Sequence, residues 1–166
     1  QLEPYIQNPN RNVVRMLLKT LAYEHQDDLL PAKWEIEHIF PQKWQTNYFP
    51  DEPDATIKEK IEHIGNKLPF EKKLNIVAGN GYFGKKKKEY IASKIVITKA
   101  MGTSDVMDWN LESITKRDIR VSDEVVKIMN RWNNEYLNTP VSEGKAGEPS
   151  EEELAQIEKF KKNGWI

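Results

Sequence analysis

Residues 33–39 constrain the fold most, because their alternation is that of a strand in a chain whose other apolar spacing is mainly helical. Trp34, Ile36 and His38 alternate with Glu35, Glu37 and Ile39, the two-residue period of an extended segment. Pro41 ends the run, since proline cannot donate to a β-ladder. Residues 67–70 are expected to form a second short strand after a turn at Gly65 and Asn66, where asparagine tolerates unusual backbone angles. The expected fold class is therefore α+β and mostly helical, with two short strands embedded in helices.

Val13, Val14, Leu17, Leu18 and Leu21 recur at helical spacing and predict a helix over 10–25 with Asn10 as its cap. Between the strands lies a long polar loop containing Pro50, Asp51, Glu52, Pro53 and Asp54, then a short helix over 56–64. A longer helix is expected over 83–100, although its β-branched run at 95–98 has poor helical propensity. Two more are expected around 110–118 and 122–137, the latter with Val125, Ile128, Met129, Trp132 and Tyr136 on one face. Residues 139–150 have the Pro, Gly, Ser and Glu content of a linker. Ser150 and Glu153 form a capping box for a tail helix over 151–162.

A chain of 166 residues can bury a core without cross-links. It has no cysteine, which removes disulfides, thiolate metal sites and cysteine nucleophiles and is compatible with a cytoplasmic location. The net charge of −1 excludes a generally basic nucleic-acid binder. The charge is uneven, however: Lys85, Lys86, Lys87 and Lys88 form a basic run, which permits local phosphate contact. On a helix at most two of these four could face one ligand. No apolar stretch is long enough for a membrane span, and the polar N-terminal residues do not read as a signal peptide. There is no Gly-x-x-x-x-Gly-Lys-Ser/Thr loop for a triphosphate.

The chemistry concentrates in Trp34-Glu35-Ile36-Glu37-His38-Ile39-Phe40-Pro41-Gln42. Where a strand ends and Pro41 redirects the chain, a carboxylate and an imidazole can line one site. The first can hold a divalent cation and the second can take a proton from water. Alone, an acidic-His pair is commonplace. Asn66 taken singly is a turn residue, and Asn75 taken singly is a helix cap. Trp34, Trp44, Tyr48 and Phe49 read as packing residues.

In order, these pieces run acidic-His on a strand, Asn in a turn, a short strand, then Asn entering a helix. This layout resembles the HNH (ββα-metal) nuclease motif, and Glu37-His38-Ile39-Phe40-Pro41-Gln42 resembles the matching segment of the HNH domain of RNA-guided Cas nucleases. The chain is also similar to the DUF1524 family, the C-terminal nuclease domain of GmrSD-type modification-dependent restriction enzymes. The residues that carry this are His63-Ile64-Gly65-Asn66-Lys67-Leu68, then Asn75, Asn80, Phe83 and the lysine run to Tyr90. Lys67 departs from the family, which runs directly from Asn into Leu.

The resemblance implies roles. His38 would be the general base and Asn66 would orient it, through backbone or imidazole hydrogen bonds. Glu37 and Asn75 would hold one Mg²⁺ or Mn²⁺, with Glu35 supporting the metal through water, and Asn80 is the rival to Asn75. His63 would be structural or a phosphate contact, and some of Lys85 to Lys88 would bind DNA phosphates. The implied activity is nicking of DNA to 5′-phosphate and 3′-hydroxyl ends in defence against foreign DNA. A DUF262-type N-terminal sensor or NTPase domain would be the partner. The expected domain organisation is a nuclease domain over 1–138 with its ββα-metal core about 33–90, a linker over 139–150 and a tail over 151–166. The alternatives are a DNA-binding module with an inactive site, or an RNase or toxin-type nuclease.

Overall fold

A computed structural model describes residues 11–45, 52–138, 154, 155 and 158. By its internal contacts the chain divides into two compact units, residues 1–130 and 131–166, and the site lies in the first. Helix α1 (Arg11–His25) buries Val14, Leu17, Leu18, Leu21 and Ala22, the stripe expected of an amphipathic helix. Strand β1 (Trp34–His38) is followed by helix α2 (Asp54–Ile61) and a 3₁₀ turn (Ile64–Asn66). Strand β2 (Lys67–Glu71) leads directly into helix α3 (Lys72–Ala78), and helices α4 (Phe83–Ile91), α5 (Val96–Thr103) and α6 (Leu111–Asn138) follow.

The strands pair antiparallel from Trp34 opposite Glu71 to His38 opposite Lys67. Pro69 is tolerated in β2 because a two-stranded sheet leaves each strand an outer edge that needs no ladder donor. Two apolar clusters hold the helices around this hairpin-like pair. In one, the α1 stripe meets Trp34, Ile64, Ile95, Val121, Val125 and Ile128. In the other, Ile39, Phe40, Leu68 and Phe70 pack with Ile57, Ile61, Phe83, Tyr90, Trp109 and Ile114. The result is α+β and mostly helical, with one small antiparallel sheet.

The helical expectations need correction in three places. The single helix over 83–100 is two, α4 and α5, separated by residues 92–95. Glu71 draws the chain out of helical geometry there: its carboxylate accepts the Ser93 hydroxyl at 2.8 Å and the Lys94 backbone N–H at 2.6 Å. The separate helices over 110–118 and 122–137 are one continuous α6. No glycine or proline interrupts it, and its buried stripe passes unbroken through Ile114, Val121, Val125 and Ile128. The apolar face expected beyond is exposed at Met129, Trp132 and Tyr136.

The linker over 139–150 and the capping pair Ser150 and Glu153 lie outside the described residues. Residues 154, 155 and 158 are helical. No described helix is long and apolar enough to cross a membrane.

Candidate active site

The end of β1 brings Glu37 and His38 among polar side chains of α4, of β2 and of the end of α2. Glu37 is 4% exposed. Its Oε1 receives Lys86 Nζ at 2.7 Å and the Tyr90 hydroxyl at 2.8 Å. Lys86 and Tyr90 are four residues apart on α4 and so share a helix face. Lys86 Nζ also donates to the backbone carbonyl of His38, tying strand and helix together. Burial pulls the Lys86 ammonium below its ordinary range, and the Glu37 charge opposes that pull. Burial, and then the Glu37 charge, push the Tyr90 phenol well above its ordinary value, so it remains a donor.

His38 is half-buried, and its Nε2 lies 3.3 Å from Oε2 of Glu62 and 3.5 Å from the Gln42 side-chain nitrogen. Gln42 donates at 3.3 Å to the other Glu62 oxygen. Lys67 Nζ sits 2.8 Å from Glu62 Oε2 and also donates to the Glu62 backbone carbonyl. The hydrogen bond from His38 is the main force holding the Glu62 carboxyl far below its usual range. Partial burial opposes it, and Lys67 adds to it.

Asn66 fixes the backbone just after His38. It is fully buried. Its Oδ1 accepts the Phe40 N–H at 2.7 Å, and its Nδ2 donates to the carbonyls of Phe40 and Ile61, both at 3.0 Å. Its own carbonyl accepts the Ile39 N–H at 2.8 Å. The orientation of β1's end thus runs through backbone groups of Ile39 and Phe40 and not through the His38 ring.

Helix α6 anchors the turn that carries Asn66. Asp118 accepts from His63 Nδ1 and from the Gly65 N–H, each at 2.6 Å. Arg117 Nη1 donates to the carbonyls of Ile64, Gly65 and Lys67 at 3.1, 2.9 and 2.8 Å. Burial, helped by repulsion from Arg120, brings the Arg117 guanidinium down to about 10, so it is still charged at neutral pH. A Cβ on Gly65 would lie 2.2 Å from the Ile114 carbonyl oxygen, so only glycine fits against α6 here. His63 is 6% exposed and faces Asp118.

Asn75 and Asn80 differ. The Asn80 amide is engaged at both ends with the Lys43 backbone, Oδ1 with N–H at 3.1 Å and Nδ2 with the carbonyl at 2.6 Å. Asn75 is half-buried in α3, the helix packed on both strands. Glu35 pairs with Arg11 at 3.3 Å. The lysine run divides as well. Lys86 is buried on Glu37, Lys87 donates to the carbonyls of Ser104 and Val106, and Lys85 and Lys88 are exposed.

Reading the sequence gave no role to Gln42, Glu62, Arg117 or Asp118, and did not pair Lys86 and Tyr90 with Glu37. Only the four-residue spacing of Lys86 and Tyr90 was a usable signal. Asp118 is 55 residues from His63, and nothing local marks it.

The chain matches the family model of the C-terminal domain of GmrSD restriction endonucleases over residues 3–121. It belongs to that family. No curated protein and no solved structure matches it. The matched span includes Glu37, His38, Asn66, Lys86, Tyr90 and Asp118, so the whole cluster lies within this GmrSD C-terminal domain, a nuclease domain of the restriction-endonuclease type.

Proposed function

We propose that this GmrSD C-terminal domain is an HNH-type DNA endonuclease that uses one Mg²⁺ or Mn²⁺ and nicks one strand per event. The observation that carries the reading is the clamp of Asn66 on Ile39 and Phe40. It fixes the end of β1, which carries Glu37 and His38, and α3, which bears Asn75, packs against the same two strands.

Among the described residues, no three His, Asp or Glu side chains gather as a closed metal cage. The carboxylate of Glu37 and the amide oxygen of Asn75 are hard donors, and a two-donor site suits an ion that keeps most of its waters. Bound there, the cation supplies Lewis-acid stabilisation of the charge that develops on the phosphate. His38 accepts a proton from water, whose oxygen forms the new bond to phosphorus. The bond to the 3′ oxygen breaks, leaving 5′-phosphate and 3′-hydroxyl ends, with solvent supplying the proton to the leaving oxygen. Lys85 and Lys88, the exposed members of the basic run, would meet the phosphates. Choice of foreign DNA would rest with an N-terminal sensor domain, and the setting would be a cytoplasmic defence system.

A specific observation favours a second reading, a DNA-binding module that does not cut: Oε1 of Glu37 already carries the Lys86 ammonium at 2.7 Å. Nicking of supercoiled plasmid with Mg²⁺, Mn²⁺ or chelator separates the two. Metal-dependent nicking that falls roughly 10²–10⁴-fold in His38→Ala supports the nuclease. Retained DNA binding with no nicking under any metal supports the second reading. Parallel RNA and DNA substrates identify the nucleic acid.

A further inference from the structure

We infer that Glu62 and Lys67 form a positioning pair for His38, in which Glu62 accepts the Nε2 proton and thereby leaves Nδ1 as the nitrogen that receives the proton from water. The inference rests on the nuclease reading for its consequence in catalysis, but its geometry stands separately.

Among the described residues, two groups meet Nε2 of His38: Glu62 Oε2 at 3.3 Å and the Gln42 side-chain nitrogen at 3.5 Å. An ionised carboxylate only accepts hydrogen bonds, so the closer contact is a hydrogen bond only when Nε2 carries hydrogen. Gln42 has a better acceptor in the second Glu62 oxygen, at 3.3 Å. Its amide therefore closes the cluster through the carboxylate, not through the ring. A neutral imidazole with hydrogen on Nε2 has its lone pair on Nδ1.

Glu62 is itself held. It is the C-terminal cap residue of α2, and Lys67 Nζ binds both its carboxylate, at 2.8 Å, and its backbone carbonyl. Lys67 lies directly opposite His38 in the β1–β2 register, and its side chain is 5% exposed while that of Glu62 is 47% exposed. The buried lysine thus fixes a carboxylate that would otherwise wander at the surface.

The test uses the full chain, with Glu62→Ala, Glu62→Gln and Lys67→Met compared with wild type. One readout is the ¹⁵N spectrum of the imidazoles, in which the three histidines are distinguished by loss of one set of signals in His38→Ala. The other is kcat and KM on a plasmid or oligonucleotide substrate. Wild type should show His38 as the Nε2–H tautomer, and Glu62→Ala should show a mixture. Glu62→Ala should lose roughly 10–100-fold in kcat at unchanged KM. Glu62→Gln, which keeps an acceptor oxygen, should recover part of that loss, and Lys67→Met should move tautomer and kcat in the same direction as Glu62→Ala. An unchanged His38 tautomer in Glu62→Ala, or equal activity of Glu62→Ala and wild type, overturns the inference. Undiminished cleavage by His38→Ala instead overturns the nuclease assignment of His38, and the tautomer measurement still decides whether Glu62 holds the ring.

Discussion

The Asn66 side chain binds both polar groups of Phe40: its Oδ1 accepts the N–H at 2.7 Å and its Nδ2 donates to the carbonyl at 3.0 Å. One buried amide thus replaces the partners that the chain loses as it leaves the sheet. Asn66→Ala removes an acceptor from the Phe40 N–H and a donor from each of two carbonyls, of Phe40 and Ile61. Each buried unpaired group costs roughly 1–3 kcal/mol, so a fall of several kcal/mol in unfolding free energy is expected in urea titrations. Any surviving folded protein should nick DNA poorly, because the end of β1 is no longer held.

Asn75 and Asn80 are to be compared by metal titration. With Asn75 as a metal donor, Asn75→Ala should raise the Mg²⁺ concentration needed for nicking or abolish nicking. Asn80→Ala loses a clamp on the Lys43 backbone and should chiefly change stability, leaving the metal midpoint near wild type. The reverse pattern would make Asn80 the metal donor in place of Asn75.

Two glycines should respond oppositely to one added methyl group. Gly65→Ala drives Cβ into backbone of α6, 2.2 Å from the Ile114 oxygen, and overpacking of this kind costs typically about 1–3 kcal/mol, sometimes more. Gly84 is exposed in α4, and a methyl group added there meets nothing within 4 Å. Gly→Ala in a helix gains up to about 1 kcal/mol. Thermal melts should therefore move down for the first and stay or move up for the second.

Replacing Lys85 and Lys88 with Gln should weaken DNA binding without regard to sequence. It should flatten the salt dependence by about 0.9 in log–log slope for each phosphate of duplex DNA that is no longer neutralised. Lys86→Gln should behave differently, because Lys86 is 1% exposed and pairs with Glu37. Loss of stability is its expected signature, measured by denaturation and not by salt titration.

The Glu62 carboxyl is depressed below its ordinary value of 4.5, so the unfolded chain takes up this proton first as the solution is acidified. Its contribution to stability is accordingly present above that value and is lost as pH falls below it, toward the depressed folded value. The stability gap between wild type and Glu62→Gln should be level near neutral pH and narrow below about pH 4.5. Half-exposure of the side chain keeps the gap small. A gap that widens on acidification would contradict the Lys67–Glu62–His38 arrangement.

The amino-acid sequence alone determined what depends on local pattern: the alternation that makes β1, the helical stripe of α1, the turn at Gly65 and Asn66, and the order of Glu37, His38, Asn66 and Asn75 along the chain. These follow from residue spacing because a strand repeats every two residues and a helix every 3.6. The break between α4 and α5 was not legible, because it depends on Glu71 capturing the Lys94 N–H from 23 residues away. The same is true of Tyr90 and Lys86 on Glu37, of Glu62 on His38, and of Asp118 on His63. Each pairs groups more than 20 residues apart, and no periodicity links residues on separate elements. Only the tertiary structure decided which lysine is buried and which asparagine amide is engaged at both ends, because burial and hydrogen-bond partners are set by what packs against a side chain, not by its neighbours in the chain.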